Sequence, residues 1–424
     1  MKKEFIFIVC ASAVLTIAGA MVAQTGPTEA PSGFTTPSLT QTPMPATMSN
    51  GIAEPTGDTF VADQLQFETV HDPTNGLGPV YNGTSCAQCH RNNVVGSASQ
   101  MTELRVGHLD ANGNFTNPTI VINDGANTIT GRSIVNDRAI CDIAQEQVPD
   151  TETIRTPRAV LNTLGDGFVE AVADQTLLTI AANQPSVSDG MIQGEAIQIP
   201  ILESPGMTRV GRFGWKDQQP TVLSFAGDAY LNEMGVTNRL RMTDVTSVCK
   251  VTADPEDHPD ANGLADIDHF AQFIRGTEAP PRDAVLAATS DARAGAALFE
   301  KIGCAICHVS NLVTAPAGTT VSSVYSVPAA LGNTMFHPYG DFLLHNVGTG
   351  DGILQAGPAD TADKMRTAPL WGLHIKSRFM HDLESLTIHD AIARHKGEAS
   401  RVTIRFLELP PAMQTQILTF LKSL

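Results

Sequence analysis

Three spacings of apolar residues divide this chain. Residues 5–23 are apolar almost throughout, behind Lys2 and Lys3 and ahead of a polar stretch. A basic start, an apolar run of this length and small residues at Ala20 and Ala23 predict an export signal over residues 1–23, cleaved after Ala20 or Ala23 to give a periplasmic or secreted bacterial protein; the run is also just long enough to be kept as a single membrane anchor. Over residues 101–140 β-branched and polar residues alternate, broken at Asp110-Ala-Asn-Gly-Asn114 and Asn123-Asp-Gly125. Period two interrupted by Asn-Gly and Asp-Gly predicts β-hairpins. Spacings of three and four predict helices over residues 168–182 and at Leu264, Ile267, Ala271 and Ile274, ending at Gly276. Two more follow, one with Ala294, Leu298 and Ile302 behind Ser290 as N-cap, the other with Met413, Ile417, Leu421 and Leu424 behind Pro410-Pro411.

Two segments lack any such pattern. Residues 24–58 hold six prolines among Thr, Ser and Gly with few bulky apolar side chains, too little to offset the entropy of ordering, and read as a disordered tether. Thr277-Glu-Ala-Pro-Pro-Arg-Asp283 has the proline content of a linker, placed over residues 277–289.

The chemistry-bearing pattern occurs twice, as Cys86-Ala-Gln-Cys-His90 and Cys304-Ala-Ile-Cys-His308. In C-x-x-C-H two thiols three apart lie on one face of a helical turn, where both can add to the vinyl groups of a haem, and the adjoining imidazole ligates its iron. Two covalently bound haems c therefore follow, with His90 and His308 as iron ligands. The competing reading, one zinc held by two C-x-x-C halves, would need four distant ligands to converge while each half already carries a complete haem signature. The expected fold class is mainly α: an N-terminal haem domain with β-hairpin insertions over 59–276 and a C-terminal domain over 290–424, both like class I cytochrome c.

At 424 residues the chain can bury more than one core, and aromatics make up only 5%, a shortfall that two porphyrins would help to fill. A formal charge of −17 argues against nucleic acid and suits a small, basic electron-transfer protein as partner. Of seven cysteines, Cys10 lies in the signal and four in the haem motifs; Cys141 and Cys249 remain, either bridged or separate. Asp254-Pro-Glu-Asp-His-Pro-Asp260 is an acidic loop that could hold Ca²⁺ or be merely solvated, and Asp110–Asn114 reads as a turn.

From about Phe60 to its end the chain resembles the bacterial di-haem oxidoreductases, often called thiol oxidoreductases, which are related to di-haem cytochrome c peroxidases and MauG. The likeness rests on both C-x-x-C-H motifs, Phe213-Gly-Trp-Lys216, Asn232-Glu-Met-Gly235, Phe336-His-Pro-Tyr-Gly-Asp-Phe-Leu-Leu-His345, Arg366-Thr-Ala-Pro-Leu-Trp-Gly372 and Phe379-Met-His-Asp382. It implies a tryptophan between the haems, Trp215, and a distal carboxylate, Glu233, that moves a proton on bound H₂O₂ at the N-terminal haem. It also implies Met380 as sixth ligand of the second iron, with Leu383 where the peroxidases have glycine. His345 and His395 are the alternatives, each following or sharing an apolar face. The implied activity is H₂O₂ reduction at the N-terminal haem, with electrons entering through the C-terminal one. Two other readings stay open: an electron-transfer cytochrome without catalysis, and a dioxygen-using enzyme of the rubber-oxygenase type.

Overall fold

The computed structural model describes residues 26–34, 47–55 and 57–424; the export signal lies outside the described residues. Within the span read as a tether, two stretches are docked instead. Thr28–Glu29 pairs in parallel with Thr334–Phe336, and Ala30 and Met48 are buried in the larger apolar core. Asn50 donates to the Arg275 carbonyl at 2.6 Å. A few small or flexible apolar side chains, together with backbone pairing, suffice to fix a proline-rich segment that has little core of its own.

Helix outweighs strand, and the strands form small sheets of two to four. The predicted hairpins are present. Thr102–Leu109 turns through Asp110–Gly113 onto Phe115–Thr116 and pairs on its other side with Ile154–Ala159. Ile120–Ile122 returns past Gly125 as Thr128–Ile129. Val106, Ile120, Ile122, Ile129 and Val135 face inward as a separate small core. Cys141 and Cys249, 108 residues apart, are disulfide-bonded beside it.

The helix predicted over 168–182 is two, Asp166–Glu170 and Asp174–Val187. The break has a cause: the Arg209 guanidinium donates to the Glu170 and Val172 carbonyls, each at 2.8 Å, and Arg212 donates to Val172 at 2.6 Å. Those carbonyls are engaged from outside. Pro185 is accommodated near the end of the second helix.

Ser290–Ile302 is capped by Thr289, one residue before the expected position, whose side chain accepts from the Ala292 amide. Its buried stripe is Ala292, Gly295, Phe299 and Ile302, so the predicted stripe of Ala294 and Leu298 lies beside the true one. Pro411–Lys422 packs across it through Phe420, whose ring centroid is 5.3 Å from that of Phe299, while Met413 is exposed. The crossing requires glycine at 295: a Cβ there would stand 1.9 Å from the Gln416 carbonyl oxygen.

The larger core gathers Phe60, Phe67, Phe168, Phe270 and Phe273 with Leu312, Phe336 and Trp371. The smaller gathers Phe299, Ile302, Phe406, Ile417, Phe420 and Leu421. The segment read as a linker contains the short helix Ala284–Ala287. The Asp283 amide donates to the Ser423 carbonyl at 3.0 Å, tying the segment to the end of the chain. Among the described residues no helix is long and apolar enough to cross a membrane.

Candidate functional site

Cys86–Cys89 forms one helical turn, with Ser85 accepting from the Gln88 amide as N-cap. The turn stands in the wall of a cavity of about 1270 Å³ that Cys86, Cys89 and His90 line. His90 donates through Nδ1 to the Leu161 carbonyl at 3.0 Å, which leaves Nε2 uncommitted. Burial pushes the imidazole down to about 4, so it is neutral and its free lone pair is available to a metal. Burial pushes the Cys89 thiol up to about 11 and Cys86 higher still, so both thiols are protonated.

Opposite stands a carboxyl pair. Glu233 lies at the end of Val222–Met234, capped at its start by Thr221 and closed by Gly235 in a left-handed conformation, φ 71°. A Cβ at Gly235 would meet the Gly78 Cα and the Val80 carbonyl oxygen, both at 2.7 Å, so only glycine lets the strand leading to Cys86 pass this close. The Asn82 and Gly83 amides then donate to the Glu233 carbonyl at 2.7 and 3.1 Å, and Asn82 Nδ2 donates to Glu233 Oε2 at 2.8 Å. Helix end and haem-motif approach are thus one unit. Burial, and next the Glu103 carboxylate, push Glu233 well above the usual carboxyl range. Glu103 goes the other way: against burial, Arg105, donating through Nε at 2.5 Å, holds it down to about 2. The pair therefore shares one proton, resident on Glu233. Arg132 and Arg158 also line the cavity.

The second motif lines a cavity of about 250 Å³ with a mostly apolar wall. His308 donates through Nδ1 to the Tyr339 carbonyl at 3.1 Å, and burial, with His395 adding to it, lowers it to about 4. His395 lies across the same cavity with its ring centroid 6.5 Å from that of His308. Its Nδ1 donates to the Ala391 carbonyl at 2.7 Å, again leaving Nε2 uncommitted. Two imidazoles sharing one metal through bonds of about 2 Å have centroids about 6 Å apart. Met380 also lines this cavity; it and Leu383 have left-handed backbones, φ 69° and 58°. The position at which the peroxidases carry glycine thus keeps a glycine-like conformation. His345 does not qualify as a ligand: its Nε2 lies 2.9 Å from Asp341 Oδ2 and its Nδ1 2.9 Å from Glu398 Oε2. Against the penalty of burial, Asp341 and then Cys307 raise it well above the usual range. Both nitrogens carry protons.

Trp215 lines both cavities, as do Ala159, Val160, Leu161 and Arg366. Its Nε1 donates to the Ala159 carbonyl at 2.8 Å, its carbonyl accepts from the Arg366 amide at 2.9 Å, and its ring meets His381 edge-on at 6.0 Å. The neighbouring Lys216 is buried and donates to the Thr361, Ala362 and Lys364 carbonyls at 3.1, 2.7 and 2.7 Å. It also lies 2.9 Å from Asp351, which Arg158 bonds at 2.6 Å. Against its own burial, Asp351 is held at about 2 by Arg158 and Lys216. This buried lattice immobilises the indole.

The residues singled out in sequence, Cys86, Cys89, His90, Trp215 and Glu233, therefore share one cavity, and Cys304, Cys307, His308 and Met380 share the other. Glu103, Arg105 and the Asp351 lattice escaped notice; the only trace was Glu103-x-Arg105, two charges of opposite sign on one face of a strand. The acidic loop at 254–260 does not fit Ca²⁺. Lys250 bonds Asp244 and Asp254 and lies 3.7 Å from Glu256, and Asp257 accepts from the Asp266 amide at 2.7 Å. A lysine already supplies the positive charge.

Residues 142–424 match the family described as "Di-haem oxidoreductase, putative peroxidase", a span that takes in Trp215, Glu233 and the second C-x-x-C-H but begins after the first. Among solved structures, a MauG-like protein associated with microbial copper homeostasis matches at 20% identity and a TM-score of 0.24, over 37% of this chain and 52% of its own, so the chain spans about half its length. Hydrazine synthase from Kuenenia stuttgartiensis matches at 15% identity and a TM-score of 0.38, over 98% of this chain and 100% of its own. No curated protein matches the chain.

Proposed function

Because this chain belongs to the di-haem oxidoreductase family, we propose that it is a secreted c-type di-haem peroxidase that reduces H₂O₂ in the larger cavity and draws electrons through the smaller. The carrying observation is that Glu233, held by Asn82, and Glu103, held by Arg105, line the same cavity as Cys86, Cys89 and His90. When bound through thioethers to Cys86 and Cys89, the first haem supplies the redox iron at which peroxide is reduced.

Reducing H₂O₂ to two waters takes two electrons and two protons, and the chain's own groups manage the protons. Glu103, ionised against Arg105, accepts a proton from one peroxide oxygen while Glu233, protonated at rest and oriented by Asn82, gives one to the other, a relay with no net supply; the two protons that the overall reaction consumes enter from solvent through the same pair. The surrounding arginines exert a positive field that favours anionic oxygen. His90, held at Nδ1 by the Leu161 carbonyl, would ligate the first iron through Nε2, and His308, held by the Tyr339 carbonyl, would do the same for the second. For the sixth position at the second site we propose His395 ahead of Met380, because its uncommitted Nε2 and 6.5 Å ring separation suit a shared metal. Trp215, held rigid between the cavities, is the proposed electron path. The twofold division of the chain into cytochrome-like domains, the periplasmic location and a small basic electron donor belong to the same proposal.

The test is rapid mixing of half-reduced protein with H₂O₂, for wild type and Glu233→Gln. Fast wild-type turnover that the variant loses supports the reading. Equal slow reaction in both, with two low-spin irons in every redox state, makes the protein an electron carrier. Turnover with O₂ alone favours the dioxygen reading.

A further inference from the structure

A second cluster of donors, none of which lines either cavity, is unexplained by any of this chemistry. Asp63 on Phe60–Glu68, Asp58 just before that helix, and His269 on Asp266–Gly276 each offer one ligand atom, and the three atoms lie within 4.8 Å of one another. All three residues are buried, at 6%, 0% and 9% exposure for Asp58, Asp63 and His269. His269 Nδ1 stands 2.8 Å from Asp63 Oδ1 and 3.7 Å from Asp58 Oδ2. Asp58 Oδ2 and Asp63 Oδ2 have no hydrogen-bond partner. Two buried carboxylates, each with an oxygen that lacks a hydrogen-bond partner, against one imidazole is an arrangement short of positive charge, and a buried charge without a partner is strongly disfavoured.

We propose that Asp58, Asp63 and His269 form a binding site for a divalent transition-metal ion of the Zn²⁺ class. Around a tetrahedral zinc with bonds of about 2.0–2.2 Å, neighbouring donors stand about 3.3 Å apart, and the observed 2.8 and 3.7 Å bracket that spacing. The imidazole argues against Ca²⁺ and Mg²⁺, which take oxygen donors, and suits zinc. The outer nitrogen is also provided for: Asp260 Oδ2 lies 3.7 Å from His269 Nε2, where a small adjustment gives the carboxylate–histidine–metal relay usual at such sites. The ion would join the docked segment before Phe60 to the helix carrying Phe270. That ring packs edge-on against Phe67, whose centroid is 6.1 Å from that of His90. Its role is structural, a clamp between two helices whose aromatic rings pack beside His90.

The full-length haem protein, dialysed against EDTA and then against buffer, is titrated with Zn²⁺, and metal is counted by mass spectrometry against the haem iron. One zinc per two irons, a raised Tm with Zn²⁺ and reversal by EDTA are expected. Asp58→Asn, which keeps shape in a loop, should weaken zinc binding at least tenfold with both haems still attached. His269→Gln should do the same. If His269→Gln fails to fold, Asp58→Asn alone decides. Less than a tenth of an equivalent of zinc in folded wild type, with Tm indifferent to Zn²⁺ and EDTA, overturns the site and leaves a histidine–aspartate pair sharing protons. So does undiminished zinc uptake by Asp58→Asn.

Discussion

The two cavities start from the same five-residue pattern and end in opposite environments. One is large, with the Glu103–Glu233 pair and several arginines, Arg105, Arg132 and Arg158 among them, in its wall; the other is small, its wall mostly apolar, with a second imidazole facing the first across 6.5 Å. The motif therefore sets the two cysteines and the histidine of each cavity and nothing beyond them. What happens on the distal side is decided by elements far away in sequence: a hairpin strand and the Glu233 helix in one case, the Ile388–Arg394 helix in the other. In the proposed function the roomy cavity with charged groups in its wall serves chemistry on a small oxidant, and the small apolar one serves electron passage.

That contrast can be broken most sharply at Glu233. Glu233→Gln keeps the shape and the bond from Asn82 but removes the donated proton, and the reaction with H₂O₂ should slow by about 10²–10⁴-fold in stopped flow, with the second haem's spectrum unchanged. Glu103→Gln should act on stability as well, because it strands Arg105; a loss of about 3 kcal/mol by denaturant titration is expected. The sign with pH follows from its depressed value. Glu103 is ionised in the folded protein down to about 2 but protonates near 4.5 when unfolded, so its contribution is full above about 4.5 and lost as pH falls toward 2. In Glu103→Gln that acid dependence should flatten.

At the other cavity, His395→Met should raise the second haem's potential by on the order of 0.1 V, read by spectroelectrochemistry, while Met380→Leu leaves potential and spin state where they were. The reverse pattern would return the ligand to Met380. The smallest effect is expected from Trp215→Phe, which should slow electron passage between the haems severalfold while sparing the initial peroxide reaction.

Sequence reading reached the site's named residues further than its supports. Both motifs are legible because closely spaced cysteines and histidines are rare, and Trp215 and Glu233 because the resemblance carries them; the helix that ends at Gly235 is not among those read from the sequence. Glu103 and Arg105 sit in a hairpin whose pattern predicts the strand but not which face lines a cavity. The split of the helix at residues 171–173 depends on Arg209 and Arg212 reaching back from about forty residues later, and local periodicity carries no record of that. The tether misleads for a related reason: its composition cannot make a core, yet Ala30 and Met48 fill one made by other segments.

The short run from Ala159 to Leu161 has a consequence beyond hydrogen bonding. The Ala159 carbonyl holds the indole, the Ala159 amide takes the His381 carbonyl at 2.6 Å, and the Leu161 carbonyl holds His90. Three consecutive residues thus act as a ruler. The spacing between the indole and the His90 ring is gauged by peptide geometry, and in the proposed function that spacing sets the length of the electron's path.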